Sequence, residues 1–376
     1  MLFKTYLIKL VPNQKVMSRS PIIALLCSFI FLFACKKDEP VASCSSILLV
    51  DQHKFDSEEL GYQLHKIKEM PDGNYFASAK VGTGLDYKLI KINASFEIVN
   101  EFLFEGEKIH DFDILNDGRL LISSRYESGM LSIISEDFSS IERLELDYIT
   151  PPTLKVLDDE VLVIAGSGVY STEVIRYDSD FVKIWRKTFG PSRPYTHFLV
   201  KETGLLYIAT EALEIIIMDV NTGSVVKTLD PKCEIQNIYV QDDYIYLTGV
   251  EGPIGNCERQ IFAIKLDMEG NRIWHAVFGS PDSDDWGSNI IVHNDKVYVG
   301  GSYAKGCSPG QFGGSGNFYV VELSFNGEIE RCYLEHDYPH SGFNKFYIDD
   351  SNQLIAIGAF SYSEVKDYKT IFSIVQ

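Results

Sequence analysis

The sequence predicts an all-β protein, a seven-bladed β-propeller of four-stranded antiparallel blades, on three observations. A turn followed by a strand of alternating apolar residues recurs at intervals of roughly 40 to 57 residues, the period of a four-stranded blade. A hairpin with a polar turn follows these strands, and no stretch shows sustained helical periodicity. The last repeat lacks one strand, and an unassigned strand precedes the first repeat.

The turn-and-strand motif is the clearest signature of the repeat. In "DGRLLISS" and "DDYIYLTG", Asp or Gly marks the turn and apolar residues alternate after it. The motifs begin at Asp72, Asp117, Asp159, Thr203, Asp242, Asn294 and Ser351. A second hairpin such as "IKINASFEIV" follows each motif except the last, and one short strand separates consecutive repeats. Each unit therefore holds four strands.

The two ends of the chain predict how the ring closes. The last repeat ends with "KTIFSIVQ" at Gln376 and has no outermost strand. An isolated strand, "SSILLV" at Ser45–Val50, precedes the first repeat. We therefore expect Ile47–Val50 to complete the last blade, which would remove free sheet edges. This closure predicts a single propeller domain over residues 46–376.

The N-terminal segment predicts export. The apolar run Pro21–Ala34 follows Arg19 and is too short to cross a bilayer as a helix. It has the length of the hydrophobic part of a signal peptide. We assign residues 1–34 to this signal, and either Met1 or Met17 can serve as its start.

Cys35 is the predicted point of lipid attachment. Leu32-Phe33-Ala34-Cys35 resembles a bacterial lipobox, and the Lys36-Lys37-Asp38-Glu39 that follows resembles the tag of surface-exported lipoproteins of the Bacteroidota. These resemblances imply a lipidated cysteine with a tether at 35–45, and an outer-membrane lipoprotein at the cell surface. The alternatives are an ordinary signal peptide with a chance cysteine, and anchoring in the inner leaflet of the outer membrane.

The charge argues against one class of partner. The chain has a net charge of −19 at pH 7. A surface this acidic repels phosphate backbones, so we expect no nucleic-acid partner. Attachment to a bilayer would come from acyl chains on Cys35, which contribute roughly 0.8 kcal/mol per buried methylene.

The cysteines outside the signal predict one candidate disulfide. Besides Cys35 they are Cys44, Cys233, Cys257, Cys307 and Cys332, an odd number that leaves at least one thiol unpaired within the chain. Two long loops, in the fifth and sixth units, each carry a cysteine and are expected on the same face of adjacent blades. A Cys257–Cys307 disulfide would stiffen both loops.

Two segments carry a family resemblance. In "YDSDFVKIWRKTFG" (Tyr177–Gly190) and "DMEGNRIWHAVFGSPDSDDWG" (Asp267–Gly287), a turn precedes a Trp and then a Phe-Gly. The chain thereby resembles bacterial propellers related to quinoprotein dehydrogenases and to repeat-built extracytoplasmic propellers. It is also similar in shape and anchor to the propeller lipoprotein that scaffolds outer-membrane β-barrel assembly. Quinone-binding relatives use vicinal cysteines and a Trp in most blades, whereas this chain has no Cys-Cys and three Trp, so no cofactor is assigned.

Two clusters have residue types that bind metals. Asp282, Asp284 and Asp285 present alternating carboxylates that suit Ca²⁺, but the EF-hand spacing is absent and such residues commonly stabilise turns. His336 and His340 lie four apart, but Pro339 between them favours a loop over a helix. We assign no metal site, and no catalytic residue either.

Three histidines are candidates for a site at the mouth of the channel. His65 and His110 lie eight residues before Gly73 and Gly118, and His197 lies seven before a third turn glycine. These positions open the inner strands of their blades, so the imidazoles would meet near one mouth and could bind an anion, a metal or another ligand. The alternative is that they satisfy neighbouring backbone groups.

The loops before the sixth and seventh blades predict a binding surface. They bring Trp286, Tyr338 and His340 to the face that carries the two cysteine loops. The sequence thus favours a non-enzymatic binding or scaffolding module for an envelope protein or a glycan. The alternative is a degenerate propeller enzyme, a hydrolase, lyase or oxidoreductase, that uses the mouth of the channel.

Overall fold

The computed structural model describes a chain of β-strands. The described residues are 45–46, 49–55, 62–70, 72–81, 86–95, 97–125, 129–145, 153–157, 160–167, 171–190, 192, 194–252, 259–279, 285–303, 317–334, 340–348, 352–361 and 368–375. Within these ranges every regular element is a strand, and none contains a helix that could span a membrane. Residues Cys44–Gln376 form one compact unit.

The strands form seven sheets, numbered here in chain order by their first strand. Two short strands, β1 (Ser45–Ser46) and β2 (Leu49–Phe55), come first. The first sheet contains β3 (Tyr62–Glu69), β4 (Tyr75–Val81), β5 (Tyr87–Ile92) and β6 (Ile98–Phe104). The second contains β7 (Lys108–Ile114), β8 (Leu120–Arg125), β9 (Gly129–Ile134) and β10 (Ile141–Glu145). The third contains β11 (Thr153–Leu157), β12 (Glu160–Ser167), β13 (Ser171–Tyr177) and β14 (Lys183–Phe189).

The remaining sheets repeat this order. The fourth contains β15 (Pro194–Val200), β16 (Leu205–Thr210), β17 (Ile215–Asp219) and β18 (Ser224–Leu229). The fifth contains β19 (Glu234–Gln241), β20 (Tyr244–Glu251), β21 (Gln260–Asp267) and β22 (Arg272–Phe278). The sixth contains β23 (Trp286–His293), β24 (Lys296–Tyr303), β25 (Asn317–Ser324) and β26 (Ile329–Leu334). The seventh contains β27 (His340–Ile348), β28 (Leu354–Ser361) and β29 (Tyr368–Val375).

Each predicted turn-and-strand motif is the second strand of a sheet, and the expected four-stranded antiparallel sheets are confirmed. Local chemistry explains the turns. Asp72 and Asp117 each accept a backbone N–H two residues ahead, at 3.0 Å, and Gly73 and Gly118 follow them with φ of 79° and 84°. Aspartate side chains stabilise such turns, and glycine adopts the left-handed conformation at least cost.

The N-terminal strand completes the seventh sheet and extends beyond the predicted Val50. β2 pairs antiparallel with β29, from Leu49 opposite Val375 to Phe55 opposite Thr370. Ile47 and Leu48 lie outside the described residues, and the described strand runs from Leu49 beyond Val50 to Phe55. An outermost strand pairs through its backbone, so polar residues after Val50 do not end it. Ser45–Ser46 instead pairs in parallel with β26 and adds a fifth strand to the sixth sheet.

The first strands of the sheets, called the inner strands below, are β3, β7, β11, β15, β19, β23 and β27. Most inner strands contact the next inner strand, β12 links the third sheet to β15, and β27 contacts β3. The core lies between the faces of consecutive sheets. One cluster joins the fourth and fifth sheets through Tyr207 and Phe262, and another joins the seventh and first through Ile357 and Ala77. The array of sheets is therefore circular.

A β-bulge near the start of an inner strand recurs in six sheets, all except the third. The residue paired just before each bulge always faces a small residue on the second strand. Those small residues are Ala79, Ser124, Thr210, Gly249, Gly301 and Gly358. At Gly249 a Cβ would overlap the carbonyl oxygen of Glu234, so the bulge needs the missing side chain.

We expect Gly249→Ala to lower the free energy of unfolding by about 1–3 kcal/mol, because the new methyl group overlaps backbone that cannot move without breaking the bulge. Gly190→Ala is the matched control, since a Cβ there meets nothing within 4 Å. Urea unfolding of both variants measures the difference. Equal stability of the two variants would contradict the close approach at the bulge.

Candidate functional site

The bulges set the register of the predicted histidines. The residues that stand out of register at the six bulges are His65, His110, Tyr195, Gln236, Ser288 and Asn344. His65 and His110 therefore occupy equivalent positions, as their equal spacing predicted. His197 lies two residues beyond the bulge of its strand. Its equivalents in the other inner strands are Ile67, Phe112, Leu154, Ile238, Ile290 and Phe346.

His197 thus takes a place that buried apolar side chains hold in the other sheets. Its Nδ1 lies 3.3 Å from the hydroxyl of Thr153 in the preceding sheet. Its Nε2 is buried, with no hydrogen-bond partner among the described residues. Burial, followed by the charges of Lys155 and Lys66, holds the pKa of His197 well below its usual value. The imidazole is therefore neutral at physiological pH.

The residue just before this place is polar in every inner strand. These residues, called the polar layer below, are Lys66, Asp111, Thr153, Thr196, Asn237, Asn289 and Lys345. Two members bond the backbone of the next inner strand through amide oxygens. Asn237 accepts the N–H of Ile290 at 3.2 Å, and Asn289 accepts the N–H of Phe346 at 3.1 Å.

Asp111 makes the same connection with a carboxylate. It accepts the backbone N–H of Leu154 at 2.7 Å and forms an ion pair with Lys66 of the preceding sheet. Only 6% of the Asp111 side chain is exposed, against 18% for Lys66. One carboxylate thereby joins three consecutive sheets.

A second carboxylate repeats the pattern two residues further along the same strand. Asp113 forms an ion pair with Lys68 and accepts the backbone N–H of Val156 at 3.0 Å. Burial raises the pKa of Asp113, but the charges of Lys68 and Lys66 and a hydrogen bond from Lys68 outweigh that effect, so the pKa lies below its usual value. Asp113 is therefore ionised at neutral pH.

The inner strands hold more lysines than these two carboxylates match. Within the described part of the chain, Lys155 and Lys345 make no hydrogen bond and no ion pair. Burial, and then repulsion from Lys155 and Lys68, lowers the pKa of Lys345 to about 8. Burial likewise lowers the pKa of Lys155. The site is thus locally cationic in an acidic protein.

A cavity of about 770 Å³ opens beside these lysines, at the end of the inner strands opposite the bulges. Lys68, Lys345 and the carboxylate of Glu69 line it together with apolar side chains that include Met70 and Tyr347. Its size falls within the range of small-molecule sites. The arrangement can therefore hold a molecule with a charged and an apolar part.

The predicted binding surface is described only in part. Trp286 begins β23, and the guanidinium of Arg259 lies 4.7 Å from the centre of its ring. His340 begins β27, but its side chain and all of Tyr338 lie outside the described residues. The stacked arginine and tryptophan form a pair of the kind found at protein interfaces.

The predicted cysteine and metal sites are also described only in part. Cys35, Cys257 and Cys307 lie outside the described residues. Cys233 is a free thiol whose pKa burial raises to about 12, and Cys332 is disulfide-bonded. Among the described residues, no group of three or more side chains is placed to hold a metal ion.

Comparison with known proteins defines the class of fold. No protein-family model and no curated protein sequence matches the chain. The C-terminal WD40 domain of Sif2 aligns with 83% of this chain and 82% of its own, with a TM-score of 0.57 and 10% identity. WD40 domains are β-propellers, so the circular array of sheets is a propeller.

Two further solved structures are similar. Chaetomium thermophilum Raptor aligns with 88% of this chain, at a TM-score of 0.61 and 12% identity, and the match covers 29% of Raptor. BamB from Moraxella catarrhalis aligns with 87% of this chain and 99% of its own, at a TM-score of 0.49 and 15% identity. At these identities the likeness to the WD40 domain of Sif2 and to Raptor shows the fold alone.

We expect Asp111→Asn to lower the free energy of unfolding by about 3–5 kcal/mol, because Lys66 then keeps a buried charge without its partner. The control is Glu101→Gln, which removes the exposed ion pair to Lys88 and should cost less than about 1 kcal/mol. Chemical denaturation at pH 7 compares them. Similar losses in the two variants would show that Asp111 does not join the sheets.

Proposed function

We propose that the chain is a seven-bladed propeller lipoprotein that acts as a non-enzymatic binding or scaffolding module. Cys35 would anchor it to the outer membrane, with the propeller at the cell surface, and the partner would be an envelope protein or a glycan. The seven sheets and the pairing of β2 with β29 support one closed ring of seven blades. The lipobox-like stretch before Cys35 supports the anchor.

One observation carries the binding role over a catalytic one. Four carboxylates and amides of the inner strands are bonded between sheets: Asp111, Asp113, Asn237 and Asn289 each accept a backbone N–H of the next inner strand. An acid or base in catalysis must instead exchange a proton with a bound substrate. These groups support a rigid ring, which lowers the cost of ordering a binding surface.

We place the partner site at the end of the ring where the inner strands begin. Trp286 and Arg259 stack there, and Tyr195, a bulge residue at the same end, is 44% exposed. Trp, Tyr and Arg are the residues most enriched at the energetic centres of interfaces. Their flat faces also suit stacking on sugars or on side chains of a protein.

A degenerate propeller enzyme is the second candidate function. It is favoured by neutral His197, with its buried Nε2 lacking a partner in the described part of the chain, and by Lys345, whose pKa burial lowers to about 8. Such groups can transfer protons near neutral pH.

The anchor is tested by Cys35→Ala, with Cys27→Ala as the control from the same apolar segment. We expect Cys35→Ala to move the protein from the membrane fraction to the soluble fraction, since the acyl chains have no other attachment point. Cell fractionation and immunoblotting measure it. Retention of Cys35→Ala in the membrane, or equal loss of both variants, rejects lipid attachment at Cys35.

The partner site is tested by Trp286→Ala through crosslinking in intact cells. We expect the crosslinked partner to be lost while the free energy of unfolding falls by only about 1 kcal/mol, the order of a cation–π contact. Val226→Ala is the control, because Val226 is 59% exposed on an outermost strand. Undiminished crosslinking of Trp286→Ala would place the partner elsewhere.

A further inference from the structure

We propose that Cys44 and Cys332 form a disulfide that fastens the N-terminal segment to the outermost strand of the sixth sheet and makes the closure of the ring covalent. The bond rests on the proposed export, because disulfides persist outside the reducing cytoplasm. It is independent of partner docking at Trp286, and either proposal can fail without the other.

The first argument is the state of the cysteines. In the described part of the chain, Cys332 is disulfide-bonded and Cys233 is a free thiol. With the signal removed and Cys35 lipidated, three candidate partners of Cys332 are left, namely Cys44, Cys257 and Cys307. Pairing Cys44 with Cys332 leaves the other two for the disulfide predicted between the long loops of the fifth and sixth sheets.

The second argument is the place where β1 pairs. β1 lies parallel to β26, with Ser46 opposite Cys332 and Ser45 opposite the residue before it. Cys44 directly precedes Ser45, so it adjoins the strand that lies beside Cys332. The other two candidates belong to the connections between β20 and β21 and between β24 and β25. The pairing of β1 therefore selects Cys44.

The third argument is the length of β1. The strand has two residues and lies at the edge of its sheet. Strands usually hold about five or six residues, and parallel pairing is slightly less stable than antiparallel pairing. So few hydrogen bonds hold an edge strand weakly. A covalent bond beside the strand supplies the restraint that its pairing lacks.

The geometry explains where β1 begins. A fully extended chain would place Cys44 diagonally from Cys332, with their Cα atoms about 8 Å apart. A disulfide joins Cα atoms about 4.4–6.8 Å apart. The bond therefore requires the chain to turn toward β26 at Cys44, and β1 begins directly after it, at Ser45.

The bond protects the closure of the ring. β1 belongs to the sixth sheet and β2 completes the seventh, so the N-terminal segment joins two neighbouring sheets. Cys44 lies between Cys35 and β2 in the chain. Tension from a lipid anchor at Cys35 would therefore reach the disulfide before it could pull Leu49 away from β29.

Formation of the bond requires an oxidant. The two thiols lose two protons and two electrons as the sulfur–sulfur bond forms, and a second disulfide takes them up and becomes two thiols. The exchange passes through a mixed disulfide with that second compound. Glutathione disulfide can serve as the oxidant in vitro.

Peptide mapping identifies the pair. The purified full chain in non-ionic detergent is oxidised with glutathione disulfide, alkylated, and digested with trypsin without reduction. Cleavage after Lys and Arg places Cys44, Cys257, Cys307 and Cys332 on the separate peptides 38–54, 233–259, 306–331 and 332–345. We expect mass spectrometry to find 38–54 linked to 332–345. A link from 332–345 to either other peptide, or an unlinked 332–345, overturns the proposal.

This oxidation in vitro tests the pairing apart from the proposed export, which cell fractionation tests. A chain that stays in the cytoplasm but forms the Cys44–Cys332 link in vitro would contradict the export and support the pairing. An exported chain in which 332–345 is linked elsewhere would do the reverse.

The double variant Cys44→Ser/Cys332→Ser tests the effect on the ring. Under oxidising conditions we expect its thermal midpoint to fall by about 4 °C or more, since a disulfide across a long loop constrains the unfolded chain. In excess reductant, the wild type and the variant should unfold at similar temperatures, because the wild type has then lost the same bond.

The matched control is Cys257→Ser/Cys307→Ser, which removes the other predicted pair and should keep the link between 38–54 and 332–345. Hydrogen exchange locates the effect, because β2 should exchange faster in Cys44→Ser/Cys332→Ser than in this control. A midpoint equal to that of the wild type under oxidising conditions, or unchanged exchange of β2, would overturn the role of the bond in closing the ring.

Discussion

Backbone N–H groups of one inner strand donate hydrogen bonds to polar side chains of the preceding inner strand, and these bonds hold the ring together. An inner strand has one sheet neighbour, so part of its backbone N–H groups lacks a partner within its own sheet. Asp111, Asp113, Asn237 and Asn289 satisfy these groups across the gap between sheets. The apolar clusters hold adjacent sheet faces together, but hydrophobic packing is not directional. The hydrogen bonds are directional and specify which strand lies beside which. The circular order of the sheets depends on both.

This use of charge has an electrostatic consequence. Two aspartates suffice to join the first three sheets, yet four lysines surround them, and burial lowers the pKa of each lysine. A ring selected only for stability would have apolar side chains in place of Lys155 and Lys345, which make no ion pair among the described residues, because an unpaired buried charge opposes folding. Their presence in an otherwise acidic chain is a local departure from the most stable arrangement, and such departures concentrate at functional sites.

Much of the fold could be predicted because each signal was local. The turn-and-strand motifs became the second strands, the Asp and Gly of the turns have the expected conformations, and the small residues that end six of the seven motifs lie opposite the bulges. The site was harder to predict. The spacing of His197 to its turn glycine groups it with His65 and His110, but the turn of its sheet is one residue longer and His197 lies two residues beyond the bulge. The lysines and aspartates of the inner strands escaped notice because they are far apart in sequence.

The sequence by itself determined the strands, their turns, their grouping in fours and the completion of the last sheet by the N-terminal strand, because hydrogen bonding and side-chain alternation act between near neighbours. The stretch Leu32–Cys35, on which the predicted lipid attachment rests, is likewise a feature of the sequence alone. Only the tertiary structure decided the extent of β2, the strand added to β26, and the meeting of Lys66, Asp111, Lys155 and Lys345 from four sheets. Circular closure brings these residues together, and their charges interact only at that short range.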